Sequence, residues 1–445
     1  MTDEAPSVRG MGEITHRRIL HTALPIVLSN ATVPILGAVD TGVVGQMGEA
    51  APIGAVGIGA IVLAGLYWIF GFLRMGTTGL TARARGAGKD GEVTALLTRA
   101  VMIGLVGGLL VIASQVWLFK AALWMSPASA EVEGLAQQYL RIRVWSAPAA
   151  IAIFGLTGWL IAHERTRAVL VIQIWMNGIN IVLDLWFVLG MDWGVAGVAS
   201  ATVIAEVSGC LLAIWLCRDV FDNPAWKDSA RIFDPVALRE MAMVNRDILL
   251  RSLLLQAIFM SFLFLGADFG DVTLAANQVL LQFLEITAYA LDGFAFSVEA
   301  LVGQAFGARD RASLRKSSIM SSLWGIVCVV CLSLAFALFG GTIIDIMTTS
   351  EEVRAEARVY LPWMIAAPTI GVAAWMFDGI FIGATQSREM RNMMFLSALV
   401  YLFALLFLLP VYANHGLWIA LLISFVARGV TLAFRYPSLE AKAAG

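Results

Sequence analysis

Residues 36–45 read Leu-Gly-Ala-Val-Asp-Thr-Gly-Val-Val-Gly (LGAVDTGVVG). Asp40 closes a run of about twenty mostly apolar residues that opens after Arg17 and Arg18, long enough to cross a bilayer. A charged side chain in the hydrocarbon costs at least ~2.5–3.5 kcal/mol. A carboxylate kept at that position needs a partner inside a helical bundle, so this stretch decides between a soluble fold and a membrane one.

The composition of the whole chain favours the membrane. Of its 445 residues, 59% are hydrophobic and 14% charged, and the mean hydropathy is +0.81. A soluble domain carries ~25% charge. We count about twelve apolar spans, roughly 18–43, 52–78, 93–119, 135–161, 167–190, 195–217, 243–267, 273–304, 315–340, 355–382, 390–412 and 416–435. Only helices or closed barrels satisfy their backbones in lipid. These runs are too long for barrel strands and lack a two-residue alternation, so an all-α membrane protein is expected. The first sixteen residues are polar, and the first run is too long for the apolar part of a cleaved signal, so it reads as a retained span.

Loop charges set the orientation. Arg17 and Arg18, then Arg83, Arg85 and Lys89, Arg165 and Arg167, Arg218 to Arg239, Arg309 to Lys316, and Arg388 with Arg391 fall in alternate loops. The intervening turns carry Glu49, Glu131, Glu133, Asp192, Asp268, Asp271, Glu351 and Glu352. Basic loops stay cytoplasmic. Both termini are therefore expected on the cytoplasmic side of an inner membrane.

The polar connector at 219–241 divides the chain into a first lobe, 1–218, and a second, 242–445. The halves echo each other: Glu131-Val132 with Glu352-Val353, Tyr139-Leu140 with Tyr360-Leu361, Gly158 with Gly379, Arg167 with Arg388. The glycine-rich pieces RARGAGKD and QAFGARD also stand at equivalent places. Two repeats of the same topology imply two six-helix bundles related by a pseudo-two-fold axis along the membrane normal.

Polar residues within spans are functional candidates. Asp40 and Asp184 each lie ~9 Å from the outer end of their helices, and Thr202 ~12 Å, at 1.5 Å per residue. Asn180 is one turn from Asp184 on the same face, and Glu206 one turn beyond Thr202. Asp40, Asn180, Asp184 and Thr202 form a possible oxygen cage for Na+. Alternatively, the two neighbouring carboxylates share a proton. In the second half Glu285, Asp292 and Glu299 recur every seven residues on one face. With Asp378, Glu285 and Asp292 are candidates for a second polar pocket. Arg74, Arg141, Arg143, Arg246, Asp247 and Arg251 stand nearer helix ends, where snorkelling or local pairing is the expected role. Pro25 and Pro34 permit a hinge in the first span. Cys210, Cys217, Cys328 and Cys331 read as small buried hydrophobes. GAGKD and GARD lack the lysine–serine pair of a phosphate loop. No nucleophile triad or metallohydrolase spacing stands out, and no basic–aromatic stretch suits nucleic acid, so an enzyme is not expected.

On these residues the chain resembles the multidrug and toxic compound extrusion (MATE) transporters, in their DinF-like branch. The carriers are Asp40 in GAVDTGVVG, Leu291–Asp310 (LDGFAFSVEALVGQAFGARD), Asp378–Asn392 (DGIFIGATQSREMRN), and Asn180, Asp184 and Thr202. The resemblance spans about residues 15 to 436. It implies a V-shaped pair of bundles and export of organic, often cationic or amphipathic, compounds driven by inward H+ or Na+. It also implies that Asp40, Asn180, Asp184 and Thr202 form the cation site. It implies a cofactor-free, small-molecule carrier in the lipid bilayer, and a monomer is expected. In the NorM-type branch a seventh-span glutamate helps bind sodium; here Leu253–Met260 offers only Gln256. A lipid-linked-precursor flippase of related fold is the alternative, although a more cationic cavity would suit its pyrophosphate. A facilitator-superfamily carrier fits less well, because RARGAGKD departs from that superfamily's basic signature loop.

Overall fold

The computed structural model describes residues 12–46, 50–124 and 129–444. Glu49, one of the acidic-turn residues, lies outside them. Among the described residues there is no strand. The helices are α1 (His16–Gly45), α2 (Ala50–Trp68), α3 (Gly71–Gly86), α4 (Asp90–Trp124), α5 (Ala130–Arg143), α6 (Ala147–Ala162), α7 (Thr166–Asp184), α8 (Gly194–Leu216), α9 (Ser229–Ile232), α10 (Pro235–Ala267), α11 (Asp271–Gly307), α12 (Arg311–Met347), α13 (Glu351–Gly383) and α14 (Ser387–Lys442). Eleven helical stretches among the described residues are long and apolar enough to cross a membrane. The last, Ser387–Lys442, breaks at Ala413, whose φ of 48° and ψ of −129° are not helical. Counted as two, it brings the spans to the expected twelve.

The chain groups into two compact units. An amino-terminal unit comprises residues 28–81 and 90–238, and a carboxyl-terminal unit comprises 1–27, 82–89 and 239–445. Helix α1 is thus divided, with Pro25 on one side of the boundary and Pro34 and Asp40 on the other. The polar connector as far as Leu238 belongs to the amino-terminal unit and is anchored by Arg99 of α4, which is 2% exposed. Its guanidinium donates to the carbonyls of Ile232 (2.8 Å) and Arg231 (2.5 Å) and pairs with Glu92 at 2.5 Å. Those carbonyls end the short helix α9, where a cation complements the unpaired C=O groups.

The two units use the same local chemistry at matching positions. Ser129 accepts from the Val132 amide to start α5, and Ser350 accepts from Val353 to start α13, both at 3.4 Å. Each cap is followed by acidic residues that favour a helix N-terminus. A Cβ on Gly158 would stand 2.4 Å from the Arg74 carbonyl oxygen, and one on Gly379 would stand 2.8 Å from that of Ala295. Glycine at these two crossings lets backbone pack on backbone.

The core of the carboxyl-terminal unit is aromatic, with Phe262, Phe283, Phe336, Trp418 and Phe425 buried together. A polar network is buried beside them. Asn277 of α11 and Asn414 of α14 exchange amide hydrogen bonds at 2.8 and 3.0 Å, and Trp418 Nε1 donates to Asn277 Oδ1 at 3.0 Å. This network fixes the chain just past the break at Ala413. Of the cysteines, Cys210 and Cys217 are buried, but Cys331 is exposed and Cys328 half-buried. The expectation of four buried thiols fails for α12, whose apolar side chains (Ile326, Val327, Val330 and Leu334) are themselves exposed.

Candidate cation site

In the amino-terminal unit, α1 and α7 are joined by two polar contacts about two turns apart. At the lower one, Asn177 Nδ2 donates to Thr32 Oγ1 at 2.8 Å, and Gln173 supports Asn177 Oδ1 at 3.0 Å. At the upper one, the carboxyl groups of Asp40 and Asp184 are near enough to act on each other. No donor from another described group reaches Asp40 Oδ1, Asp184 Oδ1 or Asp184 Oδ2. Asp184 is fully buried. Immediately beyond it, residues 185–190 widen into a π-helical turn, a backbone feature frequent at functional sites.

Asn180 and Thr202 adjoin this pair. Asn180 Nδ2 donates to Thr202 Oγ1 at 3.3 Å, and Thr202 in turn donates to the Val198 carbonyl of its own helix at 3.0 Å. The threonine hydroxyl therefore spends its proton on backbone, a common habit of threonine in membrane helices. Asn180 Oδ1 is buried without a donor among the described residues. Orphaned oxygens on Asp40, Asn180 and Asp184 make an acceptor-rich site that fits a proton or a hard cation.

Glu206 has a different environment. Its Oε1 pairs with Arg143 Nη2 at 2.9 Å, and Arg143 Nη1 donates to Tyr139 Oη at 2.9 Å. Arg143 ends α5, where the chain passes through a tight turn into α6, and its charge acts on both Asp40 and Asp184. Snorkelling is thus wrong for Arg143: its side chain is 16% exposed and directed inward. Sequence reasoning missed this residue and the Thr32–Asn177 bond. The available signal was Tyr139 one turn from Arg143, a donor–acceptor pair on one face.

The second-half candidates stand in different surroundings. Asp378 on α13 is bonded to Arg251 of α10, and Arg428 of α14 lies 3.8 Å away. Arg251 and Asp378 are both buried, so of the two roles expected of Arg251, pairing holds and snorkelling does not. Glu285 is exposed and Asp292 half-buried on α11, with Tyr289 between them under the influence of both. Asp292 and Glu299 have polar or charged partners of their own. Asp247 is buried and matched by Arg246 (2.9 Å) and Arg391 (2.6 Å). Gln256 is exposed. Pro25 is buried and Pro34 exposed, and α1 runs through both. No cluster of three or more His, Cys, Asp or Glu side chains suited to a metal occurs among the described residues.

Comparison with known proteins places the fold. The chain is 38% identical over 434 residues to DNA damage-inducible protein F of Escherichia coli K12, covering 94% of this chain and 91% of that one. It is 22% identical over 410 residues to the multidrug export protein MepA of Staphylococcus aureus, with 92% and 90% covered. Among solved structures, the Vibrio cholerae MATE transporter VcmN in its bent form superposes with a TM-score of 0.85 at 20% identity, over 96% of this chain and 97% of that one. The MatE family model matches twice, at residues 25–186 and 248–408, in keeping with the internal repeat. The chain belongs to the MatE family, the multidrug and toxic compound extrusion transporters, and is a membrane carrier rather than an enzyme.

Proposed function

We propose that the chain is an antiporter that exports organic cationic or amphipathic compounds in exchange for inward protons, with Asp40 and Asp184 as the proton site. The observation that carries this reading is the pair of facing carboxyl groups on α1 and α7. Two acceptor-only groups repel unless a proton or cation lies between them. Arg143 supplies a resident positive charge close by, so a single proton or one monovalent cation is as much further positive charge as the site needs. Proton loss leaves two carboxylates side by side and drives α1 away from α7; proton capture draws them together. The Thr32–Asn177 bond, two turns below, gives that motion a fixed lower point, and Pro25 and Pro34 are places where α1 bends.

A sodium-coupled version has one observation in its favour: Asn180 Oδ1, Asp184 and Asp40 all present oxygens, and Na+ is a hard, oxygen-seeking ion. The energetics suit either ion, since one charge crossing 100 mV is worth ~2.3 kcal/mol before any concentration gradient. The loop charges support both termini at the cytoplasmic face of an inner membrane, and the carrier is taken to act as a monomer. The deciding experiment imposes proton and sodium gradients separately on everted vesicles and follows uptake of a fluorescent organic cation, which in this orientation is export. Export driven by the proton gradient alone, and lost in Asp40→Asn, is expected. Export by sodium alone refutes proton coupling, and undiminished export by Asp40→Asn refutes the site.

A further inference from the structure

The carboxyl-terminal unit buries more positive than negative charge at one place. Arg251, Asp378 and Arg428 converge from α10, α13 and α14, with side chains 9%, 7% and 3% exposed. Arg251 Nη2 bonds Asp378 Oδ2, so those two charges cancel. Arg428 Nε stands 3.8 Å from the same oxygen, beyond hydrogen-bonding reach. The charges acting on Arg428 are those of Asp378 and Arg251. Asp247, one turn along α10 from Arg251, is already matched by Arg246 and Arg391. One carboxylate thus serves two guanidinium groups, which leaves a net positive charge in a segment where an unneutralised charge is strongly disfavoured.

Unpaired atoms mark what would complete the group. Arg251 Nε and Arg428 Nε are buried donors with no partner among the described residues; Asp378 Oδ1 is a buried acceptor without one, which an anion does not complete. Two N–H donors on two guanidinium planes suit the paired oxygens of a carboxylate. The surroundings suit an apolar body: Arg428 lies over the rings of Trp375 (5.5 Å) and Phe425 (5.9 Å), which meet edge to face at 5.3 Å. A small inorganic anion would leave those rings unused.

We propose that Arg251 and Arg428, with Trp375 and Phe425, form a binding site for an aromatic or amphipathic carboxylate. Within the antiport reading, on which this last step alone rests, the site extends the exported compounds to organic acids. The binding site itself stands without that reading.

The test uses the full-length carrier in phosphatidylcholine nanodiscs, with 2-naphthoate and its neutral analogue 2-naphthamide as probes. Saturable 2-naphthoate binding, at least tenfold tighter than 2-naphthamide, is expected by tryptophan fluorescence. Arg428→Gln should weaken 2-naphthoate binding at least tenfold, and Arg428→Lys should retain part of it. Removing Arg428 also leaves a neutral Arg251–Asp378 pair. The Gln variant is therefore expected to melt no lower than the parent without ligand, and to lose the upward melting shift that 2-naphthoate gives the parent. Equal affinity for the acid and the amide, or unchanged 2-naphthoate binding by Arg428→Gln, overturns the site. A lower melting temperature of the unliganded Gln variant shows Arg428 to be a structural strut and overturns it too. Organic-cation export in vesicles is measured in parallel: its loss with naphthoate binding intact counts against the antiport reading and leaves the site standing.

Discussion

Arg143 Nη2 lies 2.9 Å from Glu206 Oε1, and the same guanidinium acts on Asp40 and Asp184. Three acids and one base thus share the interior of the amino-terminal unit. The base is tied to the acid that is not part of the facing pair. Breaking a buried ion pair from one side leaves its partner uncompensated, at about 3 kcal/mol. Replacing both partners with apolar side chains is far gentler. Arg143→Met and Glu206→Met should each lower stability by about that amount, and the double variant should recover most of it. Thermal melts in detergent of the two single variants and the double check this; additive losses would show that the pair is not coupled.

Asn177 predicts an effect on rate without an effect on coupling. Its amide joins α7 to Thr32 of α1 by donating to the hydroxyl at 2.8 Å and to the carbonyl at 3.4 Å, two turns from the carboxyl pair. Asn177→Ala removes a part-buried hydrogen bond, worth about 1 kcal/mol, and leaves Asp40 and Asp184 in place. Export should slow several-fold while remaining proportional to the imposed gradient. Complete uncoupling in this variant would move the essential contact from the carboxyl pair to the asparagine.

The membrane fold was legible because hydrophobic runs of spanning length are strong signals, and their limits came within eight residues of the helical spans seen. Asp40, Asn180, Asp184 and Thr202 were legible as polar residues at one depth; the structure sets Asp40 beside Asp184 and bonds Asn180 to Thr202. Arg143 and Arg251 were not legible, because a guanidinium near a helix end ordinarily reaches for water. Whether it turns inward depends on a buried acid from a distant part of the chain: Glu206 for one, Asp378 for the other. The expected grouping of Glu285, Asp292 and Asp378 failed to anticipate the arginines for the same reason. A seven-residue spacing fixes a face of one helix but says nothing of the base that faces Asp378 from another.

Asp219 gives a pH dependence outside the membrane segments. The hydrogen bond from Arg165 holds its carboxyl below the usual 3.8, against the opposing effect of burial. A depressed carboxyl binds fewer protons in the folded state than in the unfolded one. Its contribution is therefore present above about pH 3.8 and is lost as the pH falls through the folded value. Both side chains are 42% exposed, so solvent screening leaves no more than about 0–1 kcal/mol. Asp219→Asn should lower the melting temperature slightly at neutral pH and low salt. The difference should vanish in acid and in 1 M salt; a difference that persists in acid would assign it to packing.

Gly86 and Gly307 carry a reciprocal contact that predicts matched sensitivities. Within the carboxyl-terminal unit, a Cβ on Gly86 at the end of α3 would stand 1.9 Å from the Gln304 carbonyl oxygen. One on Gly307 at the end of α11 would stand 1.9 Å from that of Arg83. The glycine-rich pieces RARGAGKD and QAFGARD thus allow two helix ends to cross at backbone contact. Arg83 adds bonds to Glu240 and Thr385, and Gln304 accepts from Arg18 at 3.3 Å. Backbone cannot yield as a flexible side chain does, so alanine at either position should cost about 3 kcal/mol or more, at the upper end of overpacking. Gly88→Ala is a useful contrast. A Cβ there meets nothing within 4 Å, but the residue has φ of +67°, a conformation that costs a non-glycine residue about 1 kcal/mol. Yield of folded carrier after detergent extraction should therefore fall sharply and equally for Gly86→Ala and Gly307→Ala, and only modestly for Gly88→Ala. Unequal losses for the first two would mean that the crossing is not reciprocal.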